Sequence, residues 1–544
     1  MLKIYLKEIF NNAILKMGLE ISGDIIIDIP KNPEHGDLSC NVAMQFAKQL
    51  SMNPRQLAEK VIANLEYDSQ FIERADIAGP GFINIKFTPK FIASCFAQID
   101  NISEDYGKII QETPKKINVE YVSANPTGLL HLGHGRNAVI GDTVANLYEW
   151  TGNEVTREYY FNNAGNQMSN LGKSIYARYM QIIKDPDYPF PDDGYHGLYI
   201  TDIAKVLATE LGDSLVLGTE DDLKICRKRG EEWCFEQIIN TLERLKIRQD
   251  VFFNEDSLYT DGKIEEVVAE FKRKDLAYEK DGALWLKFTE LGLENDRVIV
   301  KSTGEPTYRL PDIAYHREKF LRGYDLIVDV FGADHIATVP DVLAGVKALG
   351  FDNEKIKVLI HQFVTLTENG EQVKMSKRTG KSYTLDELLD EVGEDVVRFF
   401  FIMRGISTHL EFDLSLAKEQ SEKNPVFYLQ YAHARITSII DKAEVIADSE
   451  IRYELLTHEA EQKLIKELLR FPEIVIAAAA KFEPQLLAEY LREVSSAFHV
   501  FYHECRILNT ENDIMNARLE LAKMTKQVIK NGLTILGISA PDRM

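Results

Sequence analysis

Two short segments concentrate residues whose types and spacing could do chemistry. The first is Ser123-Ala124-Asn125-Pro126-Thr127-Gly128-Leu129-Leu130-His131-Leu132-Gly133-His134-Gly135. His131 and His134 are three apart, so at a helix start both imidazoles can face one phosphate and donate to charge developing on it. Gly133 and Gly135 carry no side chain and let a nucleotide come close to the backbone. The amides of a helix start would add free donors and a positive dipole end. Taken alone, the segment is better read as a glycine-bearing turn with two incidental histidines. The second segment is Lys374-Met375-Ser376-Lys377-Arg378-Thr379-Gly380. Its cations crowd onto a loop that ends in glycine. Ammonium groups there suit a triphosphate whose β- and γ-phosphates become the leaving pyrophosphate. Taken alone, this is a solvated basic loop. The two segments in this order, at opposite ends of one α/β unit, form a specific combination.

The elements around them support such a unit. Ile117, Val119 and Tyr121 alternate as a strand over 117–122. A loop follows, 123–128, and then a helix carrying Ala138, Val139, Ile140, Val144 and Leu147 that stops near Gly152. Further strands are expected at 326–331 and 358–363. Alternating strands and helices imply a parallel sheet with right-handed crossovers, whose carboxyl edge holds ligands. The stretch from Asn170 to Arg248 is polar and helical and reads as an insertion decorating the sheet. Before the strand, 101–116 is polar and reads as a linker. The N-terminal part mixes helix and short strands. Asn53-Pro54 is a helix start, and Ala78-Gly79-Pro80-Gly81 is a tight turn feeding a strand. Past residue 384 the chain is almost wholly helical. Thr384 and Glu387 form a capping box. Leu487, Leu491, Val494, Phe498, Phe501 and Cys505 make one apolar helical stripe, the mark of a bundle core.

Composition narrows the class. The 544 residues suggest roughly three or four domains, and 45% hydrophobic with 27% charged residues is ordinary globular usage. Lys and Arg number 63 against 85 Asp and Glu, a net charge of −22. That excludes a basic coat for duplex DNA but leaves room for a local nucleic-acid patch. Five dispersed cysteines, never in C-x-x-C spacing, point to reduced buried thiols and no zinc site. The N-terminus is charged too early for a signal peptide, and no apolar run reaches about eighteen residues. The expectation is a cytoplasmic protein with no membrane partner.

H-L-G-H followed by K-M-S-K resembles the two signatures of class I aminoacyl-tRNA synthetases. The flanking residues are similar to the arginyl-tRNA synthetase family in particular. They are Val119 to Gly128, Arg157-Glu158-Tyr159-Tyr160-Phe161-Asn162-Asn163-Ala164-Gly165-Asn166-Gln167, Pro33-Glu34-His35-Gly36-Asp37 and Ala78 to Asn84, together with Asn424-Pro425 through Arg435 and the ending Leu536 to Met544. The resemblance covers essentially the whole chain. Leu132 replaces a common Ile, a volume-conserving change. Arg378 stands where Ser is frequent, and both signature lysines are kept.

The resemblance implies an α/β chain: a Rossmann-like parallel-sheet catalytic domain over 111–383, with a helical insertion at about 170–248. A tRNA-elbow-binding α+β domain over 1–110 would precede it, and a helical linker with an all-α anticodon-binding bundle over 384–544 would follow. It implies ATP-dependent ligation of L-arginine to the terminal adenosine of tRNA through arginyl-adenylate, with Mg²⁺ accompanying ATP. It further implies that His131 and His134 stabilise the α-phosphate while Lys374 and Lys377 stabilise the leaving group. Gly133, Gly135, Met375, Ser376 and His335 would lie against ATP, although Asp334 and His335 fit a structural turn equally well. Glu120, Ser123 and Asn125 would hold the α-amino end of arginine. Tyr308 and Asp312 would take the guanidinium, whose five donors need a carboxylate fork. On its residues alone, Asp312 after Pro311 is a helix cap. Tyr428, Gln430, Tyr431 and Arg435 would read the anticodon by stacking and polar edges, although bundle core is the plainer reading of the aromatics. A monomer is expected. Family members usually need bound tRNA before forming the adenylate. Two other readings share part of this pattern. A tRNA-independent nucleotidylyltransferase has H-x-G-H but no such C-terminal bundle. A silent RNA-binding paralogue would not need both histidines and both lysines.

Overall fold

In a computed structural model of the chain, residues 2–100, 103–373, 383–443 and 451–544 are described. Lys374, Met375, Ser376 and Lys377 lie outside them.

Five parallel strands form the central sheet, ordered Ile356–His361, Leu326–Gly332, Lys116–Glu120, Glu154–Phe161 and Val251–Asn254. The first of these five along the chain, Lys116–Glu120, lies in the middle. The next two add on one side and the last two on the other, so the crossovers diverge between Lys116–Glu120 and Leu326–Gly332. That divergence opens a crevice at the carboxyl edge, where a parallel sheet takes its ligand. The sequence-expected strand 358–363 lies at Ile356–His361, and 117–122 ends at Glu120. It stops there because Val122 and Ser123 turn into the left-handed region, with φ of 69° and 45°. Such a backbone is costly for β-branched Val122. The side chain of Asn137 holds it, accepting from the Val122 amide at 2.6 Å and donating to the Val330 carbonyl at 2.7 Å.

Three helices, Gly165–Ile183, Leu198–Leu211 and Glu220–Arg244, form the insertion and enclose a small core of their own, including Met168, Leu171, Ile175, Ile203 and Cys234. A second addition was not foreseen. Strands Ala277–Lys280, Ala283–Leu286 and Arg297–Val300 form an antiparallel sheet that packs with helices Lys263–Arg273 and Arg309–Leu321. The N-terminal module is an antiparallel four-stranded sheet with helices against it. Asn53 caps helix Pro54–Ala63 by accepting from the amides of Arg55 and Gln56. The stretch read as a linker is pinned: Tyr106 is buried, and its hydroxyl donates to the Leu468 carbonyl at 2.9 Å. Beyond residue 384 the chain forms a bundle, and the Thr384–Glu387 capping box is present. The stripe from Leu487 to Phe501 faces its core in helix Gln485–Glu504. Each such buried side chain contributes about 1.5–3 kcal/mol. All five cysteines are buried free thiols.

Two buried guanidiniums tie these parts together. Arg136, one turn into helix Leu132–Trp150, donates to the carbonyls of Gln362, Gly405 and Thr408. Arg398 donates to Asp142 at 2.5 Å, to the Leu245 carbonyl at 2.6 Å and to the Leu536 carbonyl at 2.8 Å. It thereby joins the sheet domain, the end of the insertion and the last helix. Gly537, with φ 69°, is glycine because a Cβ there would strike this guanidinium. Arg398→Met should therefore cost about 3–5 kcal/mol of stability, since it leaves Asp142 charged and buried. Urea unfolding of the full chain measures it.

Candidate active site

Helix Leu132–Trp150 begins at the carboxyl edge of the sheet, with His131 as its N-cap. The imidazole Nδ1 of His131 accepts from the amides of Gly133 at 3.1 Å and His134 at 3.3 Å. In return, His134 Nδ1 accepts from the His131 amide at 3.4 Å. The rings stack with centroids 3.6 Å apart. This differs from the expectation in one respect. The Gly133 and His134 amides are already satisfied by His131, so what this helix start presents is imidazole rather than free backbone N–H. Because both Nδ1 atoms accept, both protons sit on Nε2. Burial and the facing ring of His131 and His361 push His134 down to about 3, and burial lowers His131. Two neutral Nε2–H donors thus stand side by side. His361, at the end of its strand, is pushed down to about 4 by burial and has the charge of Asp334 nearby.

Gly135 has a packing role. A Cβ there would come within 2.6 Å of Leu385 and 2.9 Å of Phe401, so its absence lets the helices beyond residue 384 close onto the histidine helix. The same approach pairs Thr384 with His131 and brings the Leu385 amide to the Leu130 carbonyl at 2.8 Å. The described chain after the lysine segment therefore returns directly beside the histidines. His335 lies on a short 3₁₀ turn, Ala333–His335, where its exposed ring stacks on Phe331 at 5.2 Å.

On the other flank of the crevice, three carboxylates stand abreast in register on adjacent strands: Glu158, Glu120 and Asp329. All are buried. Helix Arg309–Leu321 covers them and supplies cations at helical spacing. Lys319 Nζ bridges Glu120 and Asp329 at 2.6 Å each. His316 Nε2 meets Asp329 at 2.9 Å. Arg322, just past the helix end, forks onto both oxygens of Glu158 at 2.7 Å. Burial alone would raise Asp329, but Lys319 and His316 outweigh it and hold it well below the usual range. Burial raises Glu120 against the pull of Lys319. The remaining Glu120 oxygen accepts from Ser123 Oγ at 2.9 Å, and that hydroxyl also accepts from the Tyr160 amide. Asn125 accepts from the Asn162 amide at 3.1 Å and donates to Gln167 at 2.9 Å.

Asp312 sits on the same helix, one turn before His316. The helix begins at Arg309, and Asp312 caps nothing. Among the described residues its carboxylate has no ion-pair or hydrogen-bond partner, in contrast to the three carboxylates below it. Burial pushes it up to about 7; His316 opposes, while the charges of Glu120 and Glu255 add to the rise. Glu255 was not singled out from the sequence. It is held by the hydroxyls of Tyr160 at 2.7 Å and Tyr259 at 3.3 Å. Its local signal, an acidic residue just past strand Val251–Asn254, becomes readable only once that strand is known to join the sheet. Tyr308, four residues before Asp312, is 83% exposed. The result is an uncompensated acidic crevice walled by Tyr160, Phe253 and Tyr315, whose rings pack at 4.5–6.1 Å. It suits a cation with several donors.

The proposed anticodon residues divide between two faces. Tyr428, Tyr431 and Arg435 share one face of helix Pro425–Asp441 and meet His499 and Tyr502; Arg435 lies 5.1 Å over the Tyr502 ring. Gln430 points the other way. Its amide donates to Asp395 at 2.9 Å and to the Ser539 carbonyl at 3.0 Å, which makes it a brace between these segments.

Comparisons with known proteins bear on these features together. Residues 98–400 match the family model described as tRNA synthetases class I (R), catalytic domain. Residues 5–87 match the arginyl tRNA synthetase N terminal domain, and 429–544 the DALR anticodon binding domain. The chain is 48% identical over 542 residues to an arginine–tRNA ligase of Salinibacter ruber, covering 96% of each. The chain belongs to the arginyl-tRNA synthetase family. A relative of the same name from Desulfotalea psychrophila is 46% identical over 528 residues, covering 96% of this chain and 95% of its own. The arginyl-tRNA synthetase of Thermus thermophilus shares the fold with a TM-score of 0.80 at 21% identity, over the full length of both chains.

The unpaired carboxylate of this family member has a cost that can be measured. A carboxyl raised in the folded state stabilises the fold below its unfolded value, and that contribution is lost as pH rises through about 7. Above pH 7 the protein bears the charge uncompensated. Asp312→Asn should therefore raise the melting temperature by about 2 °C at pH 8, and by less than half as much at pH 5.

Proposed function

We propose that the chain ligates L-arginine to the terminal adenosine of its cognate tRNA, through arginyl-adenylate, in protein synthesis. The observation that carries the reading is Asp312: among the described residues a carboxylate without a cation, on the helix that covers Glu158, Glu120 and Asp329, and within the influence of the Glu255 charge. A guanidinium is planar, permanently charged and rich in donors, so it can neutralise both groups at once. A shorter ammonium or a neutral urea would leave buried acceptors unpaired, which is how such a pocket rejects lysine and citrulline. Glu120, Ser123 and Asn125 take the α-amino end and Tyr308 closes over the side chain.

In the first step an oxygen of the arginine carboxylate attacks the α-phosphorus of ATP. The bond from that phosphorus to the bridging oxygen breaks, and pyrophosphate leaves. No protein nucleophile is needed; the protein positions the groups and spreads charge. The two Nε2–H groups of His131 and His134 donate to the α-phosphate as charge builds there. Lys374 and Lys377 neutralise the leaving pyrophosphate, with Met375, Ser376, Gly133 and His335 near the nucleotide. Mg²⁺ would accompany ATP, held by phosphates and water. In the second step a ribose hydroxyl of the terminal adenosine attacks the acyl carbon and AMP leaves.

Residues 1–110 and 384–544 flank the catalytic part, 111–383, and are assigned to tRNA. Tyr428, Tyr431 and Arg435, with His499 and Tyr502, form the stacking face for anticodon bases. Among the described residues no helix is long and apolar enough to cross a membrane. We assign the chain to the cytoplasm, acting as a monomer. Steady-state aminoacylation tests the reading. Asp312→Asn should raise the KM for arginine by about 100-fold, the worth of a charged hydrogen-bonded pair, and leave the KM for ATP within about threefold. Equal effects on both substrates would remove Asp312 from the guanidinium site.

A further inference from the structure

The buried ion network under the crevice contains one lysine that the reaction as described does not use. Lys319 is fully buried, with its ammonium 4.4 Å from the centre of the Tyr315 ring. Asp329 has a second partner in His316, and Glu158 has Arg322, Tyr315 and Asn118. Among the described residues Glu120 has Lys319 as its one ion-pair partner and Ser123 as a hydroxyl donor. Lys319 and Asp312 lie seven residues apart on one helix, about 10.5 Å along its axis and on the same face. The helix therefore carries both the guanidinium carboxylate and the cation that fixes the carboxylate at the opposite end.

We propose that Lys319 is a positioning residue for the α-amino end of arginine. Bridged to Asp329, it keeps the Glu120 carboxylate charged and at a set distance from Asp312, and so sets the length of side chain the crevice accepts. Without Lys319, a buried Glu120 held only by a serine hydroxyl would take up a proton and could no longer pair with an ammonium. This rests on the reading that Glu120 receives the α-amino group.

The test compares arginine with 5-guanidinopentanoate, which keeps the guanidinium and carboxylate but lacks the α-amino group. In aminoacylation assays Lys319→Met should raise the KM for arginine at least about 10-fold, in line with one lost charge-assisted hydrogen bond. The inhibition constant of 5-guanidinopentanoate should stay within about twofold. Lys319→Met/Asp329→Asn removes the cation together with its second partner, which a fold tolerates better than a broken pair; it should show the same split even where the single variant does not fold. Parallel weakening of both compounds, or a wild-type KM in the double variant, would overturn the proposal. Glu120→Gln separates the two levels. If it leaves the arginine KM unchanged, the assignment of Glu120 fails and the proposal with it. If it raises that KM while the lysine variants do not, the proposal alone fails.

Discussion

Three carboxylates abreast at the carboxyl edge of a parallel sheet cannot remain charged and buried unless cations face them. Glu158, Glu120 and Asp329 meet that constraint through one helix, Arg309–Leu321, with Arg322 just beyond it. Taking such charges out of water costs several kcal/mol each, and only close, well-hydrogen-bonded partners offset it. The register of that helix on the sheet is consequently fixed by Lys319 and His316. Once it is fixed, Asp312 projects one turn before His316, where among the described residues no cation pairs with it directly. The uncompensated charge in the crevice is thus a consequence of how the compensated charges below it are arranged.

The other half of the site is built by a different device. The histidine pair gains its geometry from helix capping: each imidazole spends its Nδ1 on a backbone amide and so turns its Nε2–H outward. Depressed basicity keeps the pair neutral, and neutral rings can stack at 3.6 Å without repulsion. The helix they cap is held against the following helices by the missing side chain of Gly135 and by Arg136. The two halves meet across the strained turn at Val122 and Ser123, which Asn137 holds from the histidine helix. Strain concentrated at a ligand edge is where a fold that over-determines the backbone can afford it.

Much of this was legible in the residues. A period-2 run marked the strand at 117 and an apolar run the one at 326, and the T-x-x-E box and the 487–505 stripe marked the bundle, because local propensity and burial agree there. The ends of strands were less legible. The 358–363 run slid two residues, since a short apolar run reads equally well in several registers. The small antiparallel sheet over 277–300 was missed because its strands are four residues long. Asp312 reads as a cap by its neighbours, and only its place in the first turn of a longer helix shows otherwise. Glu255 and Lys319 were invisible for a shared reason: a lone acidic residue and a lone lysine look solvated until their partners, far away in the chain, are known. The bonds of Gln430 to Asp395 and Ser539 were not legible because both partners are far away in the chain.

Proton linkage in arginine binding tests the central claim most directly. With Asp312 held near 7, it is about half protonated at neutral pH, and an arriving guanidinium must drive the proton off. Calorimetry of arginine binding in buffers of different ionisation enthalpy should show release of about half a proton per arginine at pH 7, falling as the pH rises to 8. Binding at pH 7 with no proton released, or with uptake, would contradict the account.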